Sequence, residues 1–212
     1  MAIYRIKEIT KDVRIVIDQN TTSETLIEIG DIDTLSLNEI IRSKTVESVK
    51  RVHSAAPSYL LDGGYHFGDA VYWGKMESGW VLLPEDFMRL IVFQMDDWDR
   101  AVYHAIGEDD VEYEKQSSRY KGIRGTAQKP ICAIAVRPEG RVLEFYSCKS
   151  KDALVSKAVY LPYPMIDPYD GINICRRCYD SVVYTIAALT LTTYGDAEKG
   201  ATFLELAKTS LI

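Results

Sequence analysis

Along residues 3–17, IYRIKEITKDVRIVI, apolar side chains recur every three to four positions at Ile3, Ile6, Ile9, Val13, Val16 and Ile17. That spacing predicts an amphipathic helix ending near Asn20. A second periodic run follows Ser36, with Leu37, Ile40, Ile41, Val49 and Val52 on its apolar side and Pro57 as its stop. Serine is a favoured N-cap, and the residue before a proline is pushed out of the helical region. From Asp69 the texture changes to aromatic and β-branched residues between turn signals, the pattern of β-sheet. AVYWGKM and GWVLLP flank Glu77 and Ser78 as a hairpin, MRLIVFQM is a strand, and ICAIAV with RVLEFYS forms a second hairpin across RPEG. Residues 158–161 add one more strand.

Pro162, Pro164 and Pro168 then mark an extended connector, because proline cannot donate to a β-ladder. Beyond it, the spacing at 175, 179, 182, 186, 189 and 193 predicts a helix from Asn173 to Thr193. Gly195 is its stop and Asp196 the N-cap of a final helix, giving a C-terminal αα-hairpin. Helices first, sheet in the middle and helices last is an α+β order. Regular strand-helix alternation, which a doubly wound parallel sheet requires, is missing. The expectation is one domain over 1–212. It comprises N-terminal helices (1–62), a mainly antiparallel β region (69–161) and a C-terminal hairpin (172–212) packed with the N-terminal helices. One polar interruption, 107–129, is too long for a turn and too poor in apolar residues for a core element.

At 212 residues the chain can bury a conventional core without disulfides or metals, and 47% hydrophobic with 26% charged residues is an ordinary globular composition. The first residues carry charge in every turn, unlike the apolar core of a signal peptide, and predict a cytoplasmic protein. The longest uncharged run, Ser181 to Gly195, falls short of the roughly 20 apolar residues of a membrane span. A net charge of −6 disfavours gripping a nucleic-acid backbone, whose binding free energy comes from lysine and arginine displacing counterions.

Candidate chemistry narrows little further. Cys175 and Cys178 form a C-x-x-C pair. A redox dithiol of the thioredoxin type needs a strand running into a helix, and the sequence predicts the helix start without the strand. Zinc would need two more ligands, and Cys132 and Cys148 sit on separate predicted strands. The pair is therefore read as helix packing. Gly63 and Gly68 have phosphate-loop spacing but are followed by Asp69 and Ala70 in place of lysine and a hydroxyl residue, so they read as turns. His53, His66 and His104 lie in unrelated contexts. Carboxylates cluster in QMDDWDR and EDDVEYE, and an alternative function is a small hydrolase or metal-dependent enzyme using those of 96–114. A solvated charged face is the plainer reading. A binding module encoded by a cellular host is a third class.

The order of HSAAPSYLLDGG, GWVLLPEDFMRLIVFQMDDWDRAV, KPICAIAVRPEGRVLEFYSC and YDSVVYTIAALTLTTYGDAEKGATFLELA resembles the head-to-tail ring, or adaptor, proteins of crAss-like tailed bacteriophages. The resemblance covers most of the chain, and LPEDFMRLIVFQMDDWDR is its most distinctive block. It implies a virion structural protein rather than an enzyme, with no cofactor and no catalytic or metal-binding residues. Its copies, commonly twelve in such families, would close a ring that docks on the portal protein, meets other ring or tail proteins and continues the DNA channel. DNA would pass without specific binding, a behaviour that acidity suits. The protein would be made in the bacterial cytoplasm, would act in the virion, and would have no membrane partner. In a ring, each subunit shows unlike surfaces to its two neighbours. The polar insertion has such a split, with Glu108, Asp109, Asp110, Glu112 and Glu114 followed by Lys115, Arg119, Lys121, Arg124 and Lys129. Glu108, Asp109, Asp110, Glu112, Glu114, Arg119, Lys121 and Arg124 are thus the candidate subunit-interface residues.

Overall fold

A computed structural model describes residues 1–20, 36–120, 122–146 and 148–212. The fold is α+β, and the chain divides into two compact units. The first is built from residues 1–63 and 164–212, the second from 64–163.

In the first unit, β1 (Ala2–Arg5) pairs antiparallel with β10 (Gly171–Ile174), Tyr4 lying opposite Ile172. Residues 3–5 and 173–174 of these strands were expected to be helical. Residues 2–5 satisfy a period of two as well as the helical spacing, and the ladder to β10 decides between them. Ile3 consequently points to solvent. The first helix, α1 (Ile6–Asn20), starts where the ladder ends and buries Ile6, Ile9, Val13 and Ile17. In α2 (Leu37–Ala55) the Ser36 hydroxyl accepts from the Glu39 amide at 3.3 Å and the Glu39 carboxylate accepts from the Ser36 amide at 2.8 Å. This capping box satisfies two amides that the first helical turn leaves open.

Helix α4 (Tyr179–Thr193) is the centre of this unit and packs against α1, α2 and α5 (Ala197–Thr209). It is buried around most of its circumference, including Ser181, Val182, Val183, Thr185, Ile186, Ala187, Ala188, Thr190 and Leu191. The single stripe expected from 175 to 193 is therefore too narrow. A helix surrounded by others has no polar face to define a stripe. Gly195, at φ +90°, ends α4, and the Asp196 carboxylate accepts from the Lys199 amide at 3.1 Å to start α5. At Gly200 a Cβ would lie 2.5 Å from Thr192 Oγ1, so glycine permits the close crossing of the hairpin.

The second unit holds two sheets. One has the order β3-β4-β8-β7-β6, from β3 (Val71–Trp73), β4 (Gly79–Leu82), β8 (Gly140–Phe145), β7 (Cys132–Arg137) and β6 (Ile106–Gly107). Both expected hairpins are there, and β6 alone runs parallel to its neighbour. The other sheet is β2 (Tyr65–His66), β9 (Val155–Pro162) and β5 (Phe87–Met95). Phe87 and Phe93 from this sheet and Val81, Leu143 and Phe145 from the other share one core cluster with Phe67 and Trp98. Within the polar insertion the chain forms the short helix α3 (Val111–Lys115) and buries Gln116, whose side-chain oxygen accepts from the Gly125 amide at 2.8 Å.

Candidate functional site

Strand β10 runs directly into Cys175, and a 3-10 turn over Arg176–Cys178 leads into α4. The strand that a dithiol motif needs, and that the sequence did not predict, is thus present. The chemistry around it is still that of packing. Both thiols are fully buried, with Cys175 Sγ 3.7 Å from the Asp62 carbonyl and Cys178 Sγ 3.9 Å from the Leu60 carbonyl. The Asp62 carboxylate accepts from the Arg176 amide at 2.9 Å, and His53 Nε2 accepts from the Cys175 amide at 3.1 Å. The hydrogen bond with Cys178, followed by burial, pushes the Cys175 thiol well up, the opposite of the thiolate that redox chemistry uses. Among the described residues, no three His, Cys, Asp or Glu side chains are grouped to hold a metal ion. His66 and His104 are exposed, while His53 is 1% exposed and structural.

In the second unit, Cys132 and Cys148 lie in the core, Cys148 beyond the end of β8. Burial, with the charge of Asp97 next in weight, pushes the Cys148 thiol up to about 12. The carboxylates of QMDDWDR hold a loop. Asp97 accepts from the amides of Lys149 and Ser150, Asp96 accepts from the Leu154 amide at 3.0 Å, and Asp99 meets Lys149 Nζ at 3.2 Å.

The most developed polar site centres on Glu144, to which the sequence pattern assigns no role. It lies between Leu143 and Phe145, which face the core, so it projects from the other face of the sheet. It is nonetheless only 7% exposed. Its Oε2 accepts from Tyr146 at 2.7 Å and Tyr113 at 3.2 Å, and its Oε1 accepts from Arg137 Nε at 2.9 Å and Nη2 at 2.6 Å. Arg137 in turn stacks 4.0 Å above the Trp80 ring, and Trp80 stacks on Tyr72. Burial and the nearby Glu144 charge raise the pKa of both tyrosines, which therefore keep their protons. A cleft of about 600 Å³ opens here between α3 and the β3–β4 turn. That turn has Met76 at φ +53° and Glu77 at φ +52°. Two successive side-chain-bearing residues in the left-handed region match the twist of a tight hairpin but are strained. The legible signal was a lone carboxylate inside the apolar strand run VLEFY.

Of the candidate insertion residues, Glu114 lines this cleft. Glu108 accepts from the Val136 amide at 3.2 Å, covering the outer edge of β7 beyond β6. Asp110 caps α3 by accepting from the Glu112 amide at 2.8 Å, and Glu112 pairs with Lys115. Asp109, Glu114 and Arg119 are exposed, and Lys121 lies outside the described residues. Arg124 turns inward, its side chain 3% exposed and 3.8 Å from Glu77, so its guanidinium is not on the surface.

Among the described residues, no helix is long and apolar enough to cross a membrane. No protein-family model matches the chain, and no curated protein matches it.

Proposed function

We propose that the chain is a non-catalytic assembly subunit whose copies close a ring in a phage head-to-tail connector, docked on the portal and extending the DNA channel. The observation that carries the reading is the surface of the insertion. Val111 (78% exposed), Tyr120 (75%) and Ile123 (49%) stand in solvent among Glu114, Arg119 and the acidic residues before α3. Scattered exposed apolar residues are ordinary, but three within residues 111–123, on a folded segment with opposite charges at its two ends, suit a contact between unlike surfaces. The use of Asp96, Asp97, Asp99 and Glu108 to hold the chain's own loops and edge favours this reading over a carboxylate enzyme. The net charge of −6 suits a conduit from which phosphates are repelled.

Native mass measurement of the purified chain, alone and with a portal protein, is the test, joined to proteomics of purified particles. A closed oligomer that binds the portal and is present in virions is expected. A chain that stays monomeric with the portal, or is missing from particles, overturns the proposal. So does a hydrolytic activity that is lost in Asp96→Asn or Asp97→Asn.

A further inference from the structure

The hydrogen-bond polarity of the Glu144 cleft defines what it can bind. Both phenol protons, on Tyr113 and Tyr146, are directed to Glu144. The Ser78 hydroxyl donates to the Lys75 carbonyl, and the Ser117 hydroxyl donates to the Glu114 carbonyl at 2.8 Å. A hydroxyl that has given away its proton offers only lone pairs. All four hydroxyls lining the cleft therefore present acceptors; Glu114 also lines it, and Gln116 directs its side-chain NH2 to the Glu112 carbonyl at 2.8 Å. Lys75 is the cationic exception, and it is exposed on a flexible stem that keeps its ammonium in water. Tyr113 and Tyr146 also line the cleft, and tyrosine rings attract cations.

We infer that this cleft is a receptor for a guanidinium or ammonium side chain supplied by a second copy of the chain. The inference rests on the ring reading, which it deepens by placing one contact between neighbouring subunits. A guanidinium brings five donors and no acceptor, the complement of an acceptor-lined wall. Charge complementarity points to the second copy. The insertion that forms one wall of the cleft is acidic at its start, and the same insertion carries Arg119 exposed beyond α3. A head-to-tail contact brings one subunit's basic end to the next subunit's acidic end.

The test titrates the full chain with Nα-acetyl-arginine methylamide and, separately, with Nα-acetyl-glutamate methylamide, following the ring signals of Tyr113 and Tyr146 by NMR. Sedimentation velocity measures self-association in the same samples. The arginine probe is expected to shift both rings saturably, and the glutamate probe to leave them unmoved. Tyr113→Phe and Glu114→Gln are expected to weaken the probe about tenfold, as loss of one charge-assisted hydrogen bond does, and Lys75→Gln to tighten it. Glu114 is exposed, so its variant keeps the fold if Tyr113→Phe does not. Glu114→Gln and excess arginine probe are both expected to weaken self-association. No ring shift with the arginine probe, or an equal one with the glutamate probe, overturns the receptor whether or not rings form. Saturable arginine binding with self-association unchanged by Glu114→Gln overturns the second copy as occupant and leaves the ring reading standing. A chain that binds the probe but never self-associates overturns both the ring reading and this occupant.

Discussion

The backbone amide of Cys175 donates to Nε2 of His53 at 3.1 Å, tying the turn before α4 to the last turn of α2 across 122 residues of sequence. The amide is buried, and a buried donor without an acceptor loses its hydration with nothing in return. His53→Leu is expected to destabilise the first unit by about 1–3 kcal/mol, and His53→Gln, which keeps an acceptor, by less. Urea denaturation of the two variants checks this. Equal stability of His53→Leu and the wild type would remove the role assigned to the bond.

The cysteines are expected to behave as packing residues. Thiol titration at pH 8 should find all four slow in the folded protein, since Cys132, Cys148 and Cys175 are held protonated by burial and hydrogen bonding, and fast in denaturant. Elemental analysis should find no stoichiometric zinc, and a chelator should leave the melting temperature unchanged. Cys175→Ala should cost about 1 kcal/mol through lost burial.

Acid should loosen the helix starts. Hydrogen bonds from Ser36 lower the Glu39 pKa below its ordinary 4.5, and those from Lys199 lower that of Asp196 below its ordinary 3.8. A lowered carboxyl stabilises the fold above its unfolded pKa, and that share is lost as pH falls through the lower folded value. Helicity followed by circular dichroism should therefore fall below about pH 4.5 for α2 and at still lower pH for α5. Ser36→Ala should remove the Glu39 contribution to that profile.

Alkali should act through Tyr113 and Tyr146. Their raised pKa values mean that the folded state holds their protons more tightly than the unfolded chain does, whose phenols titrate near 10. That stability is complete below about pH 10 and is lost as pH rises above it. Tyr146→Phe should flatten this part of the stability profile. Glu144→Ala should cost about 3 kcal/mol at neutral pH, the low end for breaking a buried pair, because the Arg137 side chain is 36% exposed.

Charge reversal separates assembly from folding within the insertion. Arg119→Glu, at an exposed position, should change folding stability by less than about 0.5 kcal/mol while weakening self-association at low salt. Arg124→Glu would set a buried carboxylate beside Glu77 and should unfold the second unit before any interface is formed. Thermal melts and sedimentation of the two variants give the comparison. Assembly of Arg119→Glu at wild-type level would remove this residue from the interface.

The elements legible in the sequence are those set by neighbours a few positions away. The Ser36 cap, the stops at Pro57 and Gly195, the Asp196 cap and both antiparallel hairpins depend on local backbone preference and short loops, so α+β could be read from residue order. The tertiary structure decided where two local patterns fit equally well. Residues 2–5 and 171–174 became strands because each is the other's hydrogen-bonding partner, a pairing across about 170 residues that no window contains. It also decided which polar residues are buried. Glu144 and Arg124 look like surface charges in sequence, yet one is enclosed by Tyr113, Tyr146 and Arg137 and the other by the fold around Glu77. Burying a charge depends on partners that supply its hydrogen bonds, and only the folded chain brings those partners together.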